Sequence, residues 1–427
     1  MTSPEDSPTH SKIGRRNHPS HQQGNANAPV SPIPPQPIVF LDDSSELDPF
    51  FESIRRSTLL AVDTETNGLF AYRSEVCLIQ ISDAETIWII DALAFKKKNA
   101  VDALVPLFHL FESPRVTKIL HGASHDIASL KADFGIVLSG IFDTQAAATF
   151  LGRVHTSLAA LLLEEFGIAL PKTLQKSNWA RRPLHAEDLS YLANDVAYLH
   201  KLQRRLEKDL RRADLVEESS LEFARICETP PAEPAFSPDD FWKIRGVRQR
   251  LSDRQLARLR RFFLLRDSLA RHWNRPPFKV LSNSLLISLA EASSLKSLRR
   301  HPLFRKPRWK KQFPRFENAF RAAAEDPPPI PPESTRNTLP ERRPLPLPYH
   351  HRPFEKRKQF EKVLKNWRTA EAKRKGIATS AVLPAGVLEI LLLTRPSSRR
   401  DLSRIPGFGE GRNRKYGKAI LDIVARF

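Results

Sequence analysis

The apolar run Leu59, Leu60, Ala61, Val62 leads straight into two acids separated by one residue, Asp63 and Glu65. That pattern reads as a buried strand with both acidic side chains on one face. Two carboxylates side by side repel each other unless a cation sits between them. A second apolar run, TKIL, is followed by a turn containing Gly122 and then by Asp126, at the start of a helix predicted over ASHDIASLKADFG. Asp195 comes four residues after Tyr191 in SYLANDVAYLH, which places both on one helical face. Each piece has an ordinary alternative. Asp63 and Glu65 read equally as strand-end or turn carboxylates, Asp126 as a first-turn residue favoured by the helix dipole, and the Tyr191 and Asp195 pair as a surface hydrogen bond. Together the four acids suit hard Mg²⁺ or Mn²⁺, which take oxygen ligands and, as a pair about 3.5–4 Å apart, serve in-line displacement at a phosphodiester.

The order and context of these pieces resemble the 3′→5′ exonucleases of the DEDD superfamily, in the branch with Tyr before the last Asp, and within it ribonuclease D. EVCLIQIS resembles the strand after that family's first motif, FDTQAAATFL the segment after its second, and SNWARRPL with SYLANDVAYL the approach to its third. The resemblance spans roughly residues 38–210. It implies an α/β ribonuclease H-like exonuclease domain. Asp63, Glu65 and Asp195 would hold the metal that binds the attacking water, and Asp63 would also reach a second metal, with Asp126 as its other protein contact through water. Tyr191 would orient the water; its ordinary pKa near 10 makes it a poor base at neutral pH. The resemblance further implies two Mg²⁺ or Mn²⁺ ions, no small-molecule cofactor, release of nucleoside 5′-monophosphates from the 3′ end, and RNA substrates such as tRNA precursors.

Some residues near the motifs have rival readings. His121 and His125 are four apart and would suit zinc if helical, but Gly122 argues against a helix there and no Cys cluster accompanies them. His125 reads as a loop residue. The segment TNGLFAYRS after Glu65 departs from the Phe-containing version common in ribonuclease D. Leu69 in it would touch the last base or sugar, and Arg73 and Gln80 are candidates either to bind phosphate or to cap a strand. The four-acid site does not itself distinguish ribose from deoxyribose, so a DNA exonuclease of repair or proofreading is one alternative, and a non-catalytic RNA-binding adaptor is another.

Charge is divided unevenly. Of the net +20, residues 231–427 carry 44 Lys and Arg against 18 Asp and Glu, a net of +26, leaving 24 against 30, or −6, for residues 1–230. An excess this large in one half points to a polyanion partner whose binding weakens with salt. Pro- and Glu-rich composition around CETPPAEPAFSP marks a boundary. Beyond it, Leu251, Leu256, Leu259, Phe263 and Leu264 fall at mostly helical intervals, with Arg on the other faces.

The final unit follows the same logic, with a long basic helix through RKQFEKVLKNWRTAEAKRKG, then GIATSAVLP, GVLEILLL and LSRIPGFGEGRNRKYGKAIL. Both units resemble the HRDC domain found at the C-termini of RecQ-type helicases and ribonuclease D. The expected organisation is a disordered tail over 1–36, the exonuclease over 37–225, a first HRDC-like domain over 239–320, a Pro-rich linker over 321–350 and a second HRDC-like domain over 351–427. In the turn IPGFGEGRNRKYG, Gly407, Gly409 and Gly411 beside Arg412, Arg414 and Lys415 read either as a phosphate grip or as a helix connection that needs Gly. Trp309 reads as a base-stacking residue or a solvated linker residue, and Trp273 and Trp367 as core. Two cysteines, Cys77 and Cys227, no run of about twenty apolar residues and no apolar N-terminal signal lead to the expectation of a cytoplasmic, monomeric protein without membrane contact.

Overall fold

The computed structural model describes residues 34–171, 174–232, 236–331, 346–348, 350 and 354–427. Most of the expected tail, and residues 332–345 of the expected Pro-rich linker, lie outside the described residues.

Six strands form one mixed sheet: β1 (Ile38–Leu41), β2 (Leu59–Thr66), β3 (Val76–Ser82), β4 (Ile87–Ile90), β5 (Thr117–Leu120) and β6 (Ile141–Asp143). Their order across the sheet is β1-β4-β3-β2-β5-β6. Antiparallel pairing joins β2 to β3 and β3 to β4, while β2 to β5, β5 to β6 and β1 to β4 are parallel. This is the ribonuclease H-like sheet expected of the α/β domain. Every residue of β3 is buried, because helices cover both faces of the sheet and the strand can be apolar throughout. Parallel neighbours need helical crossovers, supplied here by helices Val105–Glu112 and Ser124–Phe134 on either side of β5.

Lys118, on β5, is a fully buried cation. Its buried ammonium donates to the carbonyl oxygens of Leu110, Ser113 and Val116 at 3.2, 2.7 and 2.6 Å. It thereby satisfies the C-terminal end of helix Val105–Glu112, where carbonyls run out of intrahelical partners. Burial holds its pKa down at about 8.

The chain after the sheet is helical. Helix Asp253–His272 opens on a capping box of Ser252 and Gln255 and packs against helices Asn283–Ala290 and Pro307–Ala322 around a core of its own. Leu251 lies ahead of this helix rather than in it, since the box fixes the start at Asp253, yet it is buried in the same core. A third core joins helices Phe354–Lys375, Ala385–Thr394 and Gly409–Val424. No helix among the described residues is long and apolar enough to cross a membrane.

The last unit sits tightly on the sheet domain. The amide of Ala378 donates to the carbonyl of Phe150 at 3.2 Å. Ala381 is counted in the core of the sheet domain. Gly152 has a positive φ of 72°, and a Cβ there would stand 2.5 Å from the carbonyl oxygen of Gly376, so only glycine lets the two backbones approach.

Candidate metal centre

The register of β2 decides the geometry. Asp63 and Glu65 alternate with Thr64, so the two acids share one face near the end of the strand. Asp195 comes to them from helix Ala186–Ala197, which packs on β2, β3 and β4. Asp63, Glu65 and Asp195 each offer a ligand oxygen within 4.8 Å of the others. Among the described residues this is the group of three or more His, Cys, Asp or Glu side chains close enough to hold a metal ion.

Asp126 is held differently. It lies in the first turn of helix Ser124–Phe134, and its Oδ1 accepts from the Thr64 hydroxyl at 2.6 Å and from the Thr64 amide at 3.2 Å. The side chain is 6 % exposed. One carboxylate oxygen is therefore committed to β2, and the residue stands beside the trio rather than within it. Sequence reading missed Thr64, and the signal was there: it is the residue between the two acids.

Burial and mutual repulsion act together on these groups. Loss of hydration, then the charges of Asp126, Asp195 and Glu65, hold the carboxyl of Asp63 well above the usual range. Burial and then Asp195 and Asp126 push Glu65 up to about 9. Asp195 is raised to about 7 by burial and by Asp126. Asp126 rises only to about 6, because burial is opposed by the Thr64 hydroxyl and by nearby His125. Four acids crowded this closely oppose one another's ionisation, and a divalent cation is the ordinary remedy. An all-oxygen donor set of this kind fits Mg²⁺ or Mn²⁺.

A stability consequence follows. Each acid is raised in the fold relative to its unfolded value, so between about pH 4 and 9 the metal-free native state holds protons that the unfolded chain has released. Stability then falls as pH rises through that window. Protein stripped with EDTA is expected to lose thermal stability from pH 5 to pH 8, and added Mg²⁺ or Mn²⁺ is expected to restore more of it at pH 8 than at pH 5. Melting curves with and without metal measure this, and identical curves at pH 8 would remove the cation from the site.

Tyr191 lies one helical turn before Asp195 and is buried against Trp179, with ring centroids 5.8 Å apart and planes 26° apart. Burial first, and the charges of Asp195, Glu65 and Asp63 after it, raise its phenol further above its ordinary value, so it acts as a neutral hydroxyl. The Trp179 indole N–H is buried without a hydrogen-bond partner. It lies close enough to Glu65 to pull that carboxyl slightly downward. The loop carrying Trp179 is fastened by Arg182, whose guanidinium grips both carboxylate oxygens of Asp91 and donates to the carbonyl of Trp179 at 2.7 Å. A bidentate Arg–carboxylate pair of this kind fixes orientation as well as energy.

Two further expectations, for Gln80 and His125, come out differently. Gln80 is fully buried in mid-strand, directly across the ladder from Asp63, so it neither caps a strand nor meets a phosphate; neither of its amide atoms has a partner. His121 donates or accepts at Nδ1 with Thr144 Oγ1 at 2.9 Å, and burial lowers its pKa to about 4. His125 is exposed in the first turn of helix Ser124–Phe134 instead of a loop. Leu69 is 42 % exposed and Arg73 is exposed in the loop after β2.

The glycine-rich segment of the last unit is no open turn. Helix Gly409–Val424 begins inside it, and Arg412 is 1 % exposed, donating to the carbonyls of Ala381, Gly407 and Phe408. Lys415 donates to buried Glu218 at 3.0 Å. Those two cations are spent on the fold. Trp309 is also core, on helix Pro307–Ala322, edge-on to Trp273 at 5.5 Å, with the Arg308 guanidinium 3.6 Å over the Trp273 ring.

Residues 38–211 match a family described as 3′-5′ exonuclease, and residues 255–319 and 358–424 each match the HRDC domain. The chain is 32% identical over 258 residues to ribonuclease D of Pseudomonas paraeruginosa, covering 59% of this chain and 65% of that one. It is 28% identical over 264 residues to the exosome complex exonuclease RRP6 of Saccharomyces cerevisiae, covering 59% of this chain and 35% of that one. The chain thus spans less than two thirds of the length of these relatives. The crystal structure of the catalytic core of RRP6 from Trypanosoma brucei superposes with a TM-score of 0.60 at 26% identity, over 68% of this chain and 80% of that one. Escherichia coli RNase D shares the fold over 91% of this chain and 99% of that one, with a TM-score of 0.60 at 22% identity.

Proposed function

For a chain that joins a domain of the 3′-5′ exonuclease family to two HRDC domains, we propose the activity of a metal-dependent 3′→5′ exoribonuclease that trims structured RNA precursors such as tRNA. The observation that carries this reading is the trio Asp63, Glu65 and Asp195, gathered within 4.8 Å beside Asp126 and Tyr191. Asp63, Glu65 and Asp195 would hold one divalent ion, and Asp63 with Asp126 would face a second. Such ions lower the pKa of water and offset the charge that develops on a phosphodiester in displacement. Asp126, tied to Thr64 by one oxygen, keeps its other oxygen for that role.

The protein's own groups supply position. Tyr191, neutral and stacked on Trp179, would orient the attacking water through its hydroxyl. Leu69, exposed just past the β2 acids, would lie against the last base or sugar. The basic half supplies attraction for the RNA strand.

Incubation with a 5′-labelled RNA bearing a single-stranded 3′ tail, and with the matching DNA, in Mg²⁺, Mn²⁺ or EDTA, tests this. A ladder shortening from the 3′ end of RNA alone, and only with metal, is the expected result. Equal shortening of both would make the enzyme a general exonuclease. Binding without shortening in any metal would replace the reading with an RNA-binding adaptor.

A further inference from the structure

The loop between β2 and β3 leaves the sheet one residue after Glu65 and returns at Val76. Its neck closes on itself: the Asn67 amide donates to the Glu75 carbonyl at 3.2 Å, and Asn67 Oδ1 accepts from the Glu75 amide at 2.8 Å. Its tip belongs to another domain. Tyr72 packs against the hydrophobic core of the first HRDC domain, more than 150 residues away in sequence. The Tyr72 hydroxyl donates to Asp267 Oδ1 at 2.7 Å, and the Tyr72 amide donates to Asn274 Oδ1 at 3.0 Å. Arg271 reaches the same hydroxyl at 3.3 Å with its guanidinium 5.5 Å from the ring, and the Lys279 ammonium sits 4.0 Å over the ring of Phe70.

These contacts come from the C-terminal end of helix Asp253–His272 and the turn after it, and, for Lys279, from the short helix Pro277–Val280 that follows. Asn274 has a φ of +45°, the left-handed conformation that ends helices. Glycine adopts that conformation more readily, but glycine has no acceptor for the Tyr72 amide. Asp267 is buried, with one oxygen accepting from Tyr72 and the other from Arg271 at 3.3 Å, so its bond to Tyr72 is worth more than a surface contact.

We propose that the first HRDC domain holds the β2–β3 loop in its working position, with Asn274 and Asp267 as positioning residues that couple that domain to the strand bearing Asp63 and Glu65. The inference rests on the exonuclease reading for its catalytic consequence. The domain then has two tasks, attraction of a long RNA and alignment of the 3′-terminal nucleotide, and only the second acts on substrates too short to touch the domain.

The test uses the full chain with Asn274→Gly, which keeps the backbone conformation and deletes the acceptor, and with Asp267→Asn and Asp267→Ala. Substrates are an RNA dinucleotide and a 20-nucleotide single strand. Asn274→Gly and Asp267→Ala are expected to lower kcat on the dinucleotide by about tenfold, in line with the cost of small misplacements at a reacting centre. Asp267→Asn, which retains an acceptor for the Tyr72 hydroxyl, is expected to stay near wild type. Hydrogen exchange gives a readout independent of chemistry: the Tyr72 amide should exchange at least about ten times faster in Asn274→Gly, because its acceptor is gone. Unchanged dinucleotide turnover with weakened binding of the long strand would overturn the proposal and leave the domain a binding module. Should the wild-type protein cleave neither substrate, the exonuclease reading fails, and exchange alone decides the clamp: faster exchange upholds it and unchanged exchange overturns it.

Discussion

Replacing Asp63 by Asn is expected to lower kcat on single-stranded RNA by at least about a thousandfold while leaving RNA affinity within about twofold of wild type. Metal ions supply several kcal/mol of charge stabilisation in phosphodiester displacement, and each 1.36 kcal/mol is a factor of ten. Asp63 is the acid whose ionisation is opposed by all three of the others, and in the proposed site it faces both ions. The substitution keeps shape and removes charge, so it should also relieve repulsion: the metal-free variant is expected to melt higher than metal-free wild type, and Mg²⁺ should raise its melting temperature less. That pairing separates a lost ligand from a damaged fold. A variant that melts lower and loses both cleavage and binding would indicate misfolding, whereas one that cleaves RNA at the wild-type rate would show that the centre lies elsewhere.

RNA affinity is expected to fall roughly three hundredfold between 50 and 200 mM salt. This follows from about six phosphate contacts on a single strand, each contributing a slope of about −0.7 in log K against log salt. The net +26 of residues 231–427 provides the cations, but their burial decides which of them count. Lys310 and Lys311 are exposed on helix Pro307–Ala322, and replacing each by Ala should reduce the number of contacts by about one. Arg412 and Lys415 are occupied by carbonyls and by Glu218, so their replacement should leave the salt slope alone and lower stability instead. Fluorescence titrations across a salt series measure both slopes. A flat response would assign the basic half to the solvated surface.

The parts of this arrangement legible in sequence are those with short-range causes. The strand over Leu59–Thr66 could be read because an unbroken apolar run is buried on both faces. The helix bearing Tyr191 and Asp195 could be read because a spacing of four returns to one face. Gly135, at a φ of 70°, closes helix Ser124–Phe134 where the sequence placed its end. Other features depend on partners remote in sequence. Nothing around Arg412 says that its guanidinium will turn inward to three carbonyls, since an exposed Arg and a buried one leave the same trace in a basic stretch. Gln80 lies in a strand that was recognised, yet its fate was set by the register that put it opposite Asp63. Trp309 reads as polar by its neighbours Lys310 and Lys311 and is apolar by its helix face. The bond from Tyr72 to Asp267 joins residues 195 apart, and no periodicity in either segment encodes it.

The seat of Lys415 on Glu218 changes what it means to shorten this chain. Glu218 belongs to helix Val216–Cys227, next to the sheet, and is 1 % exposed, with Lys415 as its counter-ion and Gly411 so close that a Cβ there would stand 2.8 Å from the neighbouring Glu217 carboxylate. Cutting the chain ahead of the final domain would remove that counter-ion and uncover the adjacent acids Glu217 and Glu218. A truncated form of this chain is thus a chemically different object from the domain it is meant to represent, and a loss of the proposed activity in it would report on that injury as much as on any missing grip on RNA.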